Sequence, residues 1–305
     1  MRIVSLVPSA TEILFQLGAG DDVVGVTYAC DYPAEAQTKQ VVVLPTVKTK
    51  GLSSREIDKI ISETYARGEP LYTIDTRLLS ELRPDVIIAQ GLCEVCAAAP
   101  GSVEEVVKTV NPAPKVLTLH PHSIKDVLND VLRVGMVVGR VGEALELMER
   151  LQAEIRFVSE RARGLPRKKT FFMEWVDPPY CSGHWVPEMI EVAGGSDFGV
   201  KGKPSRRVAP EEILRFEPEA IICGPCGYSL PESLQDAKIL SDTAWVRETP
   251  AFSAGEVYAV DAKLYFSRHG PSMIKGILVA AEILHPRGFR GVAPPASYAR
   301  VEGIG

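Results

Sequence analysis

The stretch LLSELRPDVIIAQGLCEVC, residues 78–96, decides the fold, because a similar stretch, EEILRFEPEAIICGPC, returns at residues 211–226. Both read as an amphipathic helix, a charged residue, a proline and an acid, followed by an apolar strand and a Cys-x-x-Cys pair with a glycine before or within it. Pro84 and Pro218 hold equivalent positions. This self-similarity predicts two similar lobes. Helix-to-strand units of this kind form parallel sheets, which bind ligands at the carboxyl ends of their strands.

Strand-like and helix-like segments alternate on both sides of these two stretches, which is typical of an α/β protein. Between the lobes, apolar residues recur every three or four positions from Ala144 to Ala162, which predicts one long backbone helix. We therefore predict two similar lobes with parallel-type sheets, joined by this helix, with a ligand cleft between them. The predicted divisions are an N-terminal α/β lobe (1–125), a connecting helical segment (126–164), a C-terminal α/β lobe (165–290) and an irregular tail (291–305).

Composition narrows the classes of function. The chain has 305 residues, 46% of them hydrophobic, and a net charge of −5, so no basic field invites nucleic acid. It contains no apolar run of about eighteen residues, the length that a membrane helix needs. The N-terminal sequence MRIVSLVPSATEI reads as a strand and a helix start rather than a secretion signal. We expect a cytoplasmic protein from the chain as written, or a periplasmic or extracellular one if a leader was trimmed.

The cysteines are a second candidate feature. All six are predicted at or just after strands, where the ligand cleft is expected: Cys30, Cys93, Cys96, Cys181, Cys223 and Cys226. Thiolates bind iron–sulfur clusters and zinc, so the six predict a metal site shared by both lobes. Free cysteine is also among the residues most often buried as packing. Both interpretations stay open at the level of sequence.

Six segments carry a resemblance to a known family. They are RIVSLVPSATEI, GVTYACDYPAEA, LRPDVIIA, EWVDPPYCSGHWVPEMIEVAGG, FEPEAII and YFSRHGP, in that order along residues 2–271. Together they resemble the cobalamin-binding solute receptors of ABC importers, the periplasmic-binding-protein-like class with a helical backbone between two lobes. The resemblance implies a corrinoid ligand held between the lobes, a membrane permease as partner, and no catalytic step.

The resemblance also implies which side chains contact the ligand. Aromatic residues on loops at strand ends suit the flat corrin ring. With a histidine and an arginine on the same loops, the predicted ligand-binding residues are Tyr28, Tyr32, Tyr180, His184, Tyr265, Phe266 and Arg268. A permease would dock on acidic residues of each lobe, for which Glu104 and Glu211 are the candidates. The alternative for each tyrosine is partly buried packing, and for each acid a solvated helix N-terminus.

Two hypotheses of function follow. The first is a solute-binding protein that captures cobalamin or a related corrinoid without catalysis; the chain assembles no nucleophile, base and orienting group. The second is a cytosolic metal or iron–sulfur protein that uses the cysteine cluster in the same cleft. The aromatic loops and the resemblance favour the first, and the cysteines favour the second.

Overall fold

The computed structural model describes residues 1–91, 100–108 and 110–304. The chain divides into two compact units. Unit 1 comprises Met1–Leu52, Glu56–Pro121 and Lys125–Arg150, and unit 2 comprises Ser53–Arg55, His122–Ile124 and Leu151–Gly305. The division falls inside a long helix. The lobe limits at residues 125, 164 and 290 stay a prediction.

The first half of the chain alternates strands and helices, as its sequence predicts. The strands are β1 (Ile3–Ser5), β2 (Val23–Thr27), β3 (Gln40–Pro45), β4 (Tyr72–Ile74), β5 (Val86–Gln90) and β6 (Lys115–Leu119). The helices are α1 (Pro8–Gln16), α2 (Ser54–Ala66), α3 (Thr76–Leu82), α4 (Pro100–Val107), α5 (Ile124–Val138) and α6 (Val141–Ala162).

The sheet of unit 1 has the strand order β4-β3-β2-β1-β5-β6. All neighbouring strands are parallel except β3 and β4, so the sheet is mixed rather than purely parallel. Every residue of β5, the apolar run VIIAQ, is buried, as is typical of a strand covered on both faces. On one face, Ile87 and Ala89 pack in one core with Val4, Leu6 and Leu79.

The long helix that the sequence predicts is confirmed as α6, which has 22 residues and spans about 33 Å at 1.5 Å per residue. Its apolar stripe, including Ala144, Leu151 and Val158, is buried. The helical segment begins earlier than α6, however, because α5 precedes it. Gly139 separates the two helices with a φ of 71°, a left-handed conformation that glycine adopts at little cost.

The second half of the chain holds shorter elements. The strands are β7 (Lys168–Trp175), β8 (Tyr180–Cys181), β9 (Gly195–Asp197), β10 (Arg206–Arg207), β11 (Ala220–Cys223), β12 (Val257–Val260) and β13 (Tyr298–Arg300). The helices are α7 (Val186–Val192), α8 (Pro210–Phe216), α9 (Leu230–Ala237), α10 (Ala244–Arg247), α11 (Pro250–Ser253), α12 (Ala262–Tyr265), α13 (Met273–Leu284) and α14 (Pro286–Phe289).

The sheet of unit 2 has the order β10-β8-β7-β11-β12-β13. Strand β9 pairs in parallel with the N-terminal half of β7, on the side opposite β11. Strands β7, β11 and β12 are parallel. The tail from residue 291 to 305, which we expected to be irregular, contains β13, and β13 pairs antiparallel with β12. Three residues are too few for a period-2 pattern to stand out in a Gly- and Pro-rich segment, which explains the error.

The internal repeat of the sequence has a structural counterpart. Helices α3 and α8 each precede a buried strand, β5 or β11, that lies between two parallel neighbours. Each helix ends at a residue in the left-handed conformation directly before the proline: Arg83 with φ 44° and Glu217 with φ 54°. Proline disfavours a helical residue before it, so both helices end at the same point of the repeat. In the described part of the chain, no helix is long and apolar enough to cross a membrane.

Candidate functional site

The carboxyl ends of the parallel strands of unit 2 carry a line of aromatic side chains. Trp175, the last residue of β7, is in register with Tyr180 of β8, and Tyr180 is in register with Arg207 of β10. Residues directly opposite one another in a sheet present their side chains on the same face. A β-bulge between Met173 and Trp175 brings the indole into this register, which is a usual role of bulges.

A fourth residue extends the line. Tyr228 follows β11, and its ring meets that of Trp175 edge-on, with centroids 5.5 Å apart. The order across the sheet is therefore Tyr228, Trp175, Tyr180, Arg207, and we call these four residues the aromatic row. All three rings are half-buried, whereas Arg207 is exposed.

Hydrogen bonds fix the aromatic row. The indole Nε1 of Trp175 donates to the backbone oxygen of Ser54 at 3.1 Å, and Ser54 belongs to the same unit. The amide of Lys263 donates to the backbone oxygen of Tyr228 at 2.8 Å. The amide of Cys226 donates to the backbone oxygen of Glu174 at 3.1 Å. The end of β7 and the segments after β11 and β12 are thus tied together, which holds Trp175 and Tyr228 in place without a ligand.

Charge is distributed unevenly around the row. The guanidinium of Arg207 lies over the Tyr180 ring, 5.8 Å from its centroid. Arg55 donates two hydrogen bonds to the Asp177 carboxylate, at 2.9 and 3.1 Å, and this bond raises the pKa of the guanidinium. Burial, helped by the charges of Asp236 and Glu232, raises the pKa of the Tyr228 hydroxyl to about 12, so it stays protonated at neutral pH.

His184 lies in a second cluster of unit 2. It is a non-glycine residue with a φ of 52°, and its backbone exchanges two hydrogen bonds with the segment 202–203. Its ring lies 6.1 Å from that of His122 and 5.7 Å from that of Trp185. Burial, and secondly the charge of His122, lowers the pKa of His184, which favours the neutral imidazole. His184 is therefore suited to packing and to neutral contacts.

The segment 265–269 contributes less to an open surface than the sequence suggests. We expected Phe266 to contact ligand, but it is 2% exposed and packs against Phe172 with ring centroids 4.8 Å apart. Its backbone oxygen accepts a hydrogen bond from Trp185 Nε1 at 2.9 Å. Arg268 is 6% exposed, and Tyr265 is half-buried. The expectation for Phe266 needs correction, because a side chain inside the core has no face left for a ligand.

Unit 1 presents its own aromatic pair. Tyr28 directly follows β2, is 47% exposed, and stacks on Tyr72 with centroids 6.1 Å apart and planes at 27°. Tyr72 is paired with Pro45, the last residue of β3, so both rings lie at the carboxyl edge of this sheet. Tyr32 is 38% exposed and lines a shallow depression of unit 1 with Phe15.

The cysteines are placed differently from one another. Cys181 and Cys223 are buried in the apolar core of unit 2, where burial raises the pKa of both thiols. Cys181 lies within β8, paired antiparallel with Met173, and not after a parallel strand as expected. Cys30 is buried and accepts a hydrogen bond from Thr11 Oγ1 at 3.0 Å. Cys226 is exposed.

These positions do not favour a shared metal site. A metal ligand must be a thiolate, and a raised pKa in an apolar core opposes that form. Within residues 1–91, 100–108 and 110–304, no group of three or more His, Cys, Asp or Glu side chains is arranged to hold a metal ion. The predicted ligands Cys93 and Cys96 lie outside the described residues.

The ligand contacts predicted from the sequence do not include Trp175, Tyr228 and Arg207 of the aromatic row or Tyr72 of unit 1. One signal was available. Trp175 and Tyr180 flank the turn sequence VDPP, which is typical of a hairpin and would have set the two rings opposite each other. Tyr228 and Arg207 come from remote segments, and their positions depend on strand register, which the sequence does not show.

Comparison with known proteins identifies the family. A family model described as periplasmic binding protein matches residues 3–264, and the chain belongs to this family. It is therefore a solute-binding protein of the ABC importer type, the class whose partners are a small-molecule ligand and a membrane permease.

Two relatives illustrate the similarity in sequence. An uncharacterized ABC transporter substrate-binding lipoprotein, YvrC of Bacillus subtilis (strain 168), is 25% identical over 296 residues, covering 95% of this chain and 81% of the relative. A vitamin B12-binding protein of Vibrio vulnificus (strain CMCP6) is 23% identical over 265 residues, covering 86% of this chain and 82% of the relative.

Two solved structures share the fold. The periplasmic vitamin B12 binding protein BtuF of Vibrio cholerae matches with a TM-score of 0.67 at 19% identity, covering 93% of this chain and 96% of that chain. The periplasmic heme-binding protein RhuT of Roseiflexus sp. RS-1 matches with a TM-score of 0.69 at 21% identity, covering 94% and 99%. The two-lobed α/β fold with a long helix is thereby confirmed, as is the resemblance to the solute receptors.

Proposed function

We propose that this protein captures cobalamin or a related corrinoid for an ABC importer and carries out no chemical step on it. Two observations support the ligand. Relatives described as vitamin B12-binding proteins match 86% of the chain, and the carboxyl edges of both sheets carry aromatic side chains. The position of the ligand between the two lobes stays a prediction.

The observation that carries the proposal is the aromatic row of unit 2. Three half-buried rings follow one another across strand ends, where α/β sheets bind ligands, and hydrogen bonds fix Trp175 and the backbone of Tyr228. Aromatic side chains provide a large apolar area with few rotatable bonds, so they bind a flat macrocycle at a small entropic cost. The stacked Tyr28 and Tyr72 of unit 1 offer a similar surface.

The iron–sulfur or zinc alternative has less support. Two of the six predicted metal ligands, Cys181 and Cys223, pack inside the core of unit 2. Cys226 is exposed in the loop that follows β11. Taking part in one cluster would require the buried thiols to leave the core. We therefore assign the described cysteines to packing, with Cys226 as a surface thiol.

The cellular location of the protein and its permease partner are part of the proposal. A relative described as a lipoprotein and others known from the periplasm support a site outside the cytoplasmic membrane, in place of the cytoplasmic location expected from the N-terminal sequence. Glu211 is exposed in the first turn of α8, as a docking acid requires. Glu104 lies in α4, and its side chain is outside the described set.

Isothermal titration of the purified chain tests the ligand. We expect cyanocobalamin to bind saturably at one site per chain, with quenching of tryptophan fluorescence because Trp175 lies in the aromatic row. Haemin serves as the competing ligand, because a solved structure with this fold is a heme-binding protein. Saturable binding of haemin together with no binding of cyanocobalamin would contradict the proposal.

A further inference from the structure

The two neighbouring arginines of β10 have different surroundings. Arg206 donates to the Glu212 carboxylate at 2.9 Å, and its guanidinium lies 5.6 Å from the centre of the Phe198 ring. Arg207 lies over Tyr180 instead. Successive residues of a strand point to opposite faces, so Arg206 belongs to the core face with Cys181 and Arg207 to the face of the aromatic row.

Arg207 therefore places a positive charge at one end of the row of three rings. It is exposed, and Tyr180 is half-buried beneath it. Resting on an aromatic face restricts the long side chain, so less conformational entropy is lost when the guanidinium binds a ligand. The face of the row thus combines half-buried aromatic side chains with a cation at its edge.

We infer that Arg207 binds the phosphate of the ligand, and hence that this protein selects corrinoids that carry a phosphate over those that lack one. The inference rests on the proposed function. Guanidinium is the side-chain group whose planar fork of N–H donors matches phosphate oxygens in pairs. Cobalamin combines a flat macrocycle with a phosphodiester in its nucleotide loop, which is the combination that the row and Arg207 offer.

Arg206 supplies a matched control. It adjoins Arg207 in the chain, carries the same charge and lies on the same two-residue strand, but it points to the other face of the sheet, where it contacts Glu212. Removing either charge changes the general electrostatic field by the same amount. Only the loss of Arg207 removes a cation from the aromatic row.

The experiment compares three probes on three proteins. The probes are cobinamide, which has no phosphate, cobinamide phosphate, which adds the phosphate alone, and cyanocobalamin, which has the complete nucleotide. The proteins are the wild type, Arg207→Gln and Arg206→Gln, measured by isothermal titration at low and physiological salt. Thermal unfolding of each variant establishes that it is folded.

We expect the wild type to bind the two phosphate-bearing probes about tenfold or more tightly than cobinamide, the usual scale of a charge-assisted hydrogen bond. Arg207→Gln should remove this preference with little change in cobinamide affinity, and Arg206→Gln should keep it. Arg207→Lys should keep part of it, since the charge remains without the planar fork.

Other results overturn the inference and leave the proposed function standing. They are a wild type that binds all three probes equally, an Arg207→Gln variant that keeps the preference, or an Arg206→Gln variant that loses it as fully as Arg207→Gln. If the wild type binds cyanocobalamin but not cobinamide phosphate more tightly than cobinamide, the nucleotide base and not the phosphate is recognised. Absence of binding to every corrinoid overturns the proposed function itself.

Discussion

Asp197 is a half-buried residue whose carboxyl group has a clear consequence for stability. It accepts hydrogen bonds from the amides of Phe172 and Gly199, at 3.2 and 3.0 Å, and a short one from Ser182 Oγ. Burial nevertheless raises its pKa from 3.8 to about 6. Because the folded state holds this proton more tightly, Asp197 contributes stability below about pH 4 that is lost as the pH rises through 6.

We predict that the unfolding free energy of the wild type, relative to that of Asp197→Asn, falls by roughly 2 kcal/mol between pH 4 and pH 7, since each pKa unit corresponds to about 1.4 kcal/mol and part of the loss occurs below pH 4. The variant is neutral throughout and has no such dependence at this position. Denaturant unfolding at several pH values measures the difference. The exposed Asp21→Asn is the control, and equal pH profiles for wild type and Asp197→Asn would contradict the prediction.

Cys223 and Cys226 lie three residues apart and differ in burial. Cys223 is 0% exposed among apolar side chains. A serine there would bury a hydroxyl group in an apolar core, so we predict a loss of about 1–3 kcal/mol in unfolding free energy for Cys223→Ser. Cys226→Ser, at an exposed site, should stay within about 0.5 kcal/mol of the wild type.

Metal analysis of the same two variants addresses the cysteine hypothesis. We expect iron and zinc contents to be the same in both variants and in the wild type purified anaerobically. Stoichiometric iron that disappears in Cys226→Ser would show that the exposed thiol is a ligand after all.

At the scale of elements, the hairpin of β7 and β8 creates the aromatic row. Truncating Tyr180 removes the ring next to Trp175 and the support beneath Arg207, and an aromatic contact is worth about 1 kcal/mol beyond the area it buries. We predict that Tyr180→Ala weakens cobalamin binding by about tenfold or more. Tyr65→Ala, an exposed tyrosine on α2, is the control. Equal cobalamin affinities of the two variants would show that the aromatic row is not part of the binding site.

The strands that could be predicted from the sequence are those with continuous apolar runs. VIIAQ and AIIC are buried over their whole length, and their order around the repeated proline set the fold. The long stripe of α6 was equally readable. These features are local, because each depends on residues close together in the chain.

The features that escaped prediction depend on pairing between distant segments. Tyr180 and Cys181 are adjacent, yet one belongs to the aromatic row and the other to the core, and only the register with β7 determines which. Phe266 is an aromatic residue of the type expected to contact the ligand, yet its side chain is buried in the core. Composition alone does not separate these cases.

At the scale of the whole molecule, the C-terminal tail belongs to the core of unit 2. The amide of Val301 donates to the backbone oxygen of Val257 at 3.0 Å, and its side chain is 5% exposed. We predict that Val301→Ala lowers the unfolding free energy by about 2 kcal/mol, by loss of buried methyl groups. The adjacent, exposed Glu302→Ala should be nearly neutral, and similar effects of both would contradict a packed tail.

The same tail bears on solubility. All four residues of strand β12 are buried. Strand β13 pairs with the backbone of β12 on the side that faces away from β11. The opposite margin of the sheet ends in β10, which consists of two exposed arginines. Outer strands that carry charge resist pairing with a second copy of the chain. The protein thus protects both margins of this sheet from aggregation, with a short strand on one side and paired positive charges on the other.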